Sequence, residues 1–468
     1  MRDLVVALGW IVMMPLLLTS PHVGVLLWVW VALLSPNDLL FGFMSSVPFN
    51  KIVAVITLGL MLIGKEKKDP YLDTTWVLLL VFALEATFVF MGSIVESEDG
   101  TDLYTKLMKI TVLAFVILLV MNTRHRLHLL ILAIAVSVGF LIVKEGIISL
   151  LTGGGHKILG TGAFGDNNSV AVTVLMVIPL IYYLARYSAV FVVRIGMFVV
   201  LGLSVTTVVM TFSRGGFIGL IVLAAFMMKN SRNKLASLLL IILAGGLTYV
   251  LAPGAWFERL NTIEASDTDL SFMGRVIAWK ISWLIAVDHP LFGGGFHAVQ
   301  RLLVWDTYKP FLYQLDFIAT PPPDTKPHAA HSIYFEMLGD MGFVGLGLFL
   351  ALLGTSLWNC SRIYKMARHH PSLAWAADLA RMLQVTIVVY MVTAAALSMA
   401  YFELIYIIIA ITSRCRRTVT LALAAENAVA SNKSDKVAVK LPLEPVRSTF
   451  GRPARWDAAL KGARRPSR

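Results

Sequence analysis

The sequence predicts an all-α polytopic membrane protein: about 12 transmembrane helices with one large periplasmic loop containing short helices. Three observations carry that expectation. Of the 468 residues, 57% are hydrophobic and the mean hydropathy is +0.76, far from the composition of soluble domains. Apolar runs recur along most of the chain, and in lipid such a run satisfies its own backbone groups only as a helix. Finally, basic clusters mark every second connection from Lys65 onward, which orients the bundle.

In chain order the runs fall at 4–18, 22–34, 52–64, 74–95, 107–121, 128–151, 169–185, 190–212, 214–228, 235–252, 332–358 and 381–411. The first two read as one net crossing broken around Pro15 and Pro21, because Arg2 belongs on the inner side. The last must cross and return, turning near Tyr401-Phe402-Glu403, since Arg362 and Arg414 are both inner-side. Four regions result: an N-terminal bundle (1–252), a periplasmic loop (253–330), C-terminal transmembrane helices (331–411) and a basic tail (412–468). The tail, rich in Ala, Ser, Pro and Arg, is expected to be disordered at the anionic inner leaflet.

Charge and cysteine content exclude several classes. Residues 412–468 carry 13 Lys/Arg and 4 Asp/Glu, which is +9 of the total +12, so the body is nearly neutral. The pI of 9.6 therefore describes a tail and implies no nucleic-acid partner. Cys360 and Cys415 lie beside basic clusters and the long loop has none, which rules out a disulfide framework or thiolate metal site there. No matching pair of Gly/Pro-broken helices marks a transporter.

Chemistry concentrates at the outer connections. Pro327-His328-Ala329-Ala330-His331-Ser332 closes the long loop and opens the next apolar run. It sets two imidazoles at a membrane mouth, where a titratable group is a functional candidate; the competing reading is helix capping. Thr211-Phe212-Ser213-Arg214-Gly215-Gly216 places an arginine between two membrane runs on the outer side, against the positive-inside bias. Its glycines allow a tight turn and a close ligand, and a snorkelling anchor is the alternative. Phe272 to Trp283 reads as an amphipathic, interface-parallel helix carrying Arg275 and Lys280, with Trp279 and Trp283 one turn apart.

Weaker signals complete the set. Gly165-Asp166-Asn167-Asn168-Ser169 is first an N-cap, and second a place for Asn amides to meet sugar or phosphate. Gly293-Gly294-Gly295 is a turn cluster and poor support for a phosphate loop. Asp267-Thr268-Asp269 matches a metal-diphosphate pattern that arises by chance in acidic loops, and no zinc-ligand spacing is present. Lys144-Glu145 reads as an internal pair, Glu85 is isolated, and Glu336 and Asp340 follow His331 at helical spacing.

The outer-side Ser213-Arg214-Gly215, the Gly274-Arg275 to Trp279-Lys280 helix and His331-Ser332 after the loop together resemble the O-antigen ligase/polymerase superfamily. The chain is most similar to the O-glycosylation ligases of exosortase-linked gene clusters. Pro48-Phe49, Gly165-Asp166-Asn167-Asn168, Leu291-Phe292-Gly293-Gly294-Gly295-Phe296 and His331-Ser332-Ile333-Tyr334-Phe335-Glu336 add to that resemblance, which covers roughly residues 1–415. It implies a metal-independent, inverting glycosyltransferase of a Gram-negative inner membrane, without cofactor. A glycan would pass from undecaprenyl diphosphate to an acceptor hydroxyl on protein, lipid or glycan, on the periplasmic side. His331 then becomes the catalytic base, and Arg214 and Arg275 the diphosphate grip. His328, Asn167, Asn168, Lys280 and Glu336 become supporting residues. A glycan polymerase, or an exporter without bond chemistry, are the alternatives.

Overall fold

A computed structural model describes residues 2–64, 69–153, 155–160, 165–230, 246, 270–323 and 325–438. Every regular element among them is helical. The helices are α1 (Arg2–Leu17), α2 (Pro21–Leu34), α3 (Phe49–Ile63), α4 (Thr74–Met91), α5 (Glu98–Val120), α6 (Arg124–Leu151) and α7 (Asn167–Tyr187). There follow α8 (Phe191–Met210), α9 (Arg214–Asn230), α10 (Leu270–Asp288), α11 (Leu302–Tyr308), α12 (Ile333–Ala367), α13 (Ala374–Thr393) and α14 (Glu403–Ala438). Among the described residues seven helical stretches are long and apolar enough to cross a membrane, with α2 and α3 as shorter apolar helices. This is a multi-pass membrane protein. The expected run 235–252 lies outside the described residues except for Gly246.

Local sequence sets the helix ends. Asp73, Ser97, Thr123 and Asp166 each accept an amide of the first turn, from Trp76, Gly100, Arg126 and Ser169. At the N-terminus the break falls at residues 18–20: Pro21 opens α2, while Pro15 is accommodated inside α1 rather than ending it. At the other end, α13 and α14 are joined by a turn at residues 394–402, where the sequence placed it. The disordered tail expected from 412 is corrected in part, because α14 continues to Ala438. Neither Gly nor Pro occurs between Glu403 and Ala438, so no residue there stops a helix. Residues 439–468 lie outside the description. Two compact units divide the chain, Met1–Thr420 and Leu421–Arg468.

Within the first unit α7 is the hub. Of its apolar window 83% is buried inside the protein, against 28% for α4, so α4 is a lipid-facing wall and α7 an axle. Pro179 disturbs the hydrogen-bond ladder of α7, and Thr386 of α13 donates to the Met176 carbonyl at 2.9 Å in that turn. At the end opposite His331, Arg414 of α14 is wholly buried. It donates to the carbonyls of Leu118 and Met121 and pairs with Asp69 at 2.8 Å. Those carbonyls belong to the last turn and C-cap of α5, where a cation offsets the helix dipole.

The stretch after Leu270 folds around its own core of Ile277, Ile281, Ile285, Val304, Trp305 and Leu312. Its fixing point is the glycine triplet. The amides of Gly293, Gly294 and Gly295 donate to His289, Gly339 and Asp340 carbonyls at 2.9, 2.8 and 3.0 Å. Gly342 breaks α12 with φ 65 and ψ −165, and a Cβ there would meet the Pro290 carbonyl at 2.7 Å. The triplet is thus a backbone-to-backbone dock, with its amides spent on protein and none presented to a phosphate. Only glycine permits that approach and that φ.

Candidate functional site

Residues from several connections act at the first turn of α12. Ser332 is the N-cap, so His331 stands just outside the helix, half-buried, with a left-handed backbone of φ 43. That region is sparsely used by residues other than Gly and persists where the surroundings over-determine it. Here Trp279 of α10 donates to the Ala330 carbonyl at 2.6 Å and stacks on Phe335 at 5.1 Å, bracketing His331 from both sides. Of the two tryptophans one turn apart on α10, Trp279 is half-buried with its indole NH used inside the fold, and Trp283 is the exposed member. From the other side, the His331 amide donates to Ser398 Oγ at 3.1 Å.

Electrostatics at His331 favour a neutral ring. Burial depresses its pKa below the ordinary value, and the positive charge of Arg275 adds to that. Asp166, capping α7, pulls in the opposite direction, and His328 adds a small like-charge effect. Arg275, Asp166, His328 and His331 therefore act on one another across three connections. A neutral imidazole beside a fixed cation can accept a proton near neutral pH while an anion sits against the guanidinium.

Arg214 enters this region on the first residue of α9. Ser213 Oγ accepts the Gly216 amide at 3.0 Å, and Phe212 takes a left-handed φ of 55, which fixes the sharp turn from α8. A Cβ on Gly215 would lie 3.9 Å from the Thr393 carbonyl, and one on Gly216 would lie 2.9 Å from the Ala171 Cβ. The tight turn expected of these glycines is present, and Gly216 also serves helix packing. They let the first turn of α9, which begins at Arg214, pack on α7 and the end of α13.

The supporting residues divide. Asn167 donates to the Thr211 carbonyl at 2.7 Å, so its amide braces the turn before Arg214 instead of facing outward. Asn168 is partly buried in the first turn of α7. Lys280 is buried and donates to the Ile318 carbonyl at 2.6 Å and Thr320 Oγ1 at 3.1 Å, which ties down the lip of chain before His328. His328 packs edge-on to Trp305 at 5.7 Å, and a Cβ on Gly274 would stand 3.3 Å from its ring. It is a wedge between α10 and α11. Glu336 is buried and its carboxylate accepts the Ala400 amide at 2.9 Å.

Two features escaped the sequence reading. Ser398 carries no motif. Asp166 was read as an ordinary cap, and its charge also acts on His331. Of the intramembrane charges, Lys144 and Glu145 do pair, at 2.9 Å, with His156 as a third member at 2.7 Å. Asp267 and Asp269 lie outside the described residues. Among the described residues, no three His, Cys, Asp or Glu side chains come together as metal ligands do.

Fold and site together define a multi-pass membrane protein, helical in every regular element among the described residues, with basic and titratable side chains at the start of α12. Residues 198–350 match the family model described as O-Antigen ligase, and they contain Arg214, Arg275 and His331. This segment is similar to O-antigen ligase domains, which supports the resemblance to that superfamily. Residues 1–189 match a second family model, described as a family of unknown function, DUF5935. No curated protein matches the chain. The match over residues 198–350 supports a ligase- or polymerase-type membrane enzyme.

Proposed function

We propose that the protein transfers a glycan from undecaprenyl diphosphate to an acceptor hydroxyl, with inversion and without a metal, on the periplasmic side of a Gram-negative inner membrane. The observation that carries this reading is that the charge of Arg275 acts on a half-buried His331 whose amide is held by Ser398, while the first turn of α9, which begins at Arg214, packs on the end of α13. In such a reaction the acceptor oxygen attacks the anomeric carbon, its proton passes to His331, and the carbon–oxygen bond to the diphosphate breaks. Arg214 and Arg275 hold the charge that develops on the leaving diphosphate, a task suited to planar, bidentate guanidinium groups.

The supporting residues act indirectly. Asn167 and Asn168 shape the wall beneath Arg214, Lys280 and His328 seat the loop that delivers His331, and Glu336 fixes the far side of the mouth. The acceptor is a hydroxyl on protein, lipid or glycan, as in the ligases of exosortase-linked gene clusters. Polymerisation, in which the acceptor is another lipid-linked repeat, uses the same residues. Purified protein reconstituted with lipid-linked glycan and candidate acceptors, in excess chelator, should yield a covalent acceptor–glycan product by mass spectrometry. Product only after added magnesium or manganese would overturn the metal-independent step. Movement of lipid-linked glycan with no new bond would make the protein an exporter.

A further inference from the structure

The turn between α13 and α14 is held against the start of α12 at three successive levels. The His331 amide donates to Ser398 Oγ at 3.1 Å, the Ala400 amide to Glu336 Oε2 at 2.9 Å, and the Tyr401 hydroxyl to Asp340 Oδ2 at 3.0 Å. Two further hydroxyls hold the same turn from inside the bundle: Tyr390 donates to the Met399 carbonyl at 2.8 Å, and Tyr406 to that of Ala400 at 3.1 Å. Both tyrosines, like Glu336 and Asp340, are buried. A turn gripped at residues on either side of its polar atoms has little freedom left. Ser398 is therefore a fixed hydrogen-bond acceptor carried on the opposite wall of the mouth, although it is itself exposed.

What it fixes is unusual. His331 lies outside the α12 ladder, so its amide is not committed to a helix, and its backbone sits in the left-handed region. A histidine in that conformation points its ring differently from one in extended chain, and an extended backbone is the ordinary alternative. The hydrogen bond to Ser398 opposes that reversion. We infer that Ser398 is a positioning residue for transfer: by accepting the His331 amide it holds the imidazole toward the acceptor, and Glu336, Asp340, Tyr390 and Tyr406 act through it by fixing its turn. This rests on the reading of His331 as the base. No sequence motif marks Ser398, because the relation spans 67 residues and is made by a backbone amide.

The test uses the full-length protein in detergent or liposomes, with Ser398→Ala and Ser398→Thr compared with wild type. Ser398→Ala should lower kcat at least tenfold while the KM for lipid-linked glycan stays within twofold. Ser398→Thr, which keeps the hydroxyl, should restore most of kcat. Hydrogen exchange read by mass spectrometry on a peptide covering residues 329–335 should be faster in Ser398→Ala and close to wild type in Ser398→Thr. Wild-type kcat in Ser398→Ala, or failure of Ser398→Thr to rescue, overturns the inference. So does unchanged exchange in Ser398→Ala. The two claims separate cleanly: an active His331→Ala variant removes the base itself, whereas the exchange result judges the tether whatever His331 does.

Discussion

Replacing His331 with both alanine and glycine tests the base directly. Loss of a general base costs ~10²–10⁴ in rate, equivalent to about 3–5 kcal/mol on the barrier. The structure adds a control. With φ 43 the position strains alanine and suits glycine. If the imidazole matters, both variants should be equally inactive; if only the backbone matters, glycine should be the better of the two. The pH dependence follows from the same surroundings. Burial first, then the charge of Arg275, holds the pKa of His331 below 6.5. Protonation removes the base, so kcat/KM should fall as pH drops, with its midpoint below 6.5. At pH 5.5 an unshifted imidazole would be only about one-tenth neutral, so the wild-type enzyme should retain a larger fraction of its activity than that. The assay is product formation by mass spectrometry between pH 4.5 and 8, with protein level checked by blot. Near-normal ligation by His331→Ala, or an acid limb centred above 6.5, would refute the reasoning.

Further outcomes follow from other parts of the site. Arg214→Lys and Arg275→Lys keep the charge but lose the planar fork, so each should lose at least about tenfold in kcat/KM; near wild-type rates would demote that arginine to a distant charge. Gly342→Ala places a Cβ 2.7 Å from the Pro290 carbonyl at φ 65 and should cost at least about 1–3 kcal/mol, read as a lower melting temperature in detergent. Gly347→Ala, where nothing lies within 4 Å, is the control expected to be neutral or mildly stabilising. For topology, cysteines at Asp316 and His369, both exposed, should differ in reaction with an impermeant thiol reagent in spheroplasts, Asp316 reacting. Cys360 and Cys415 are buried and will not confuse the result; the reverse pattern would put the proposed site in the cytoplasm.

Much of the architecture was legible because lipid forces simple rules on a chain. Apolar runs located the seven helical stretches of membrane-spanning length among the described residues, and the basic clusters at 362 and 414, read as lying on one side, required a reversal near Tyr401 that the chain makes at residues 394–402. His331, Arg214 and Arg275 stood out because ionisable groups at a membrane mouth are rare. What escaped the sequence shares one cause: it depends on backbone atoms. Ser398 works through an amide 67 residues away, and Asn167 through the carbonyl of Thr211. The triplet Gly293-Gly294-Gly295 is read correctly only when Gly342 is found against it. Glycine and asparagine patterns describe permissiveness, and the partner that uses it is invisible in one dimension.

The buried Arg414 has a consequence in time. Its partners, Asp69 and the carbonyls of Leu118 and Met121, are made early, but the guanidinium that joins them comes 345 residues after Asp69. At ~5–20 residues per second, the end of α5 and the Asp69 connection wait roughly 20–70 s for their cation. During that interval each nascent chain holds an unclosed seam on the side of the bundle opposite His331. The seam shuts only when α14 arrives. A chain shortened before residue 414 would keep every proposed catalytic side chain and lack this closing contact, so the packing of the first third of the chain is completed by one of its last helices.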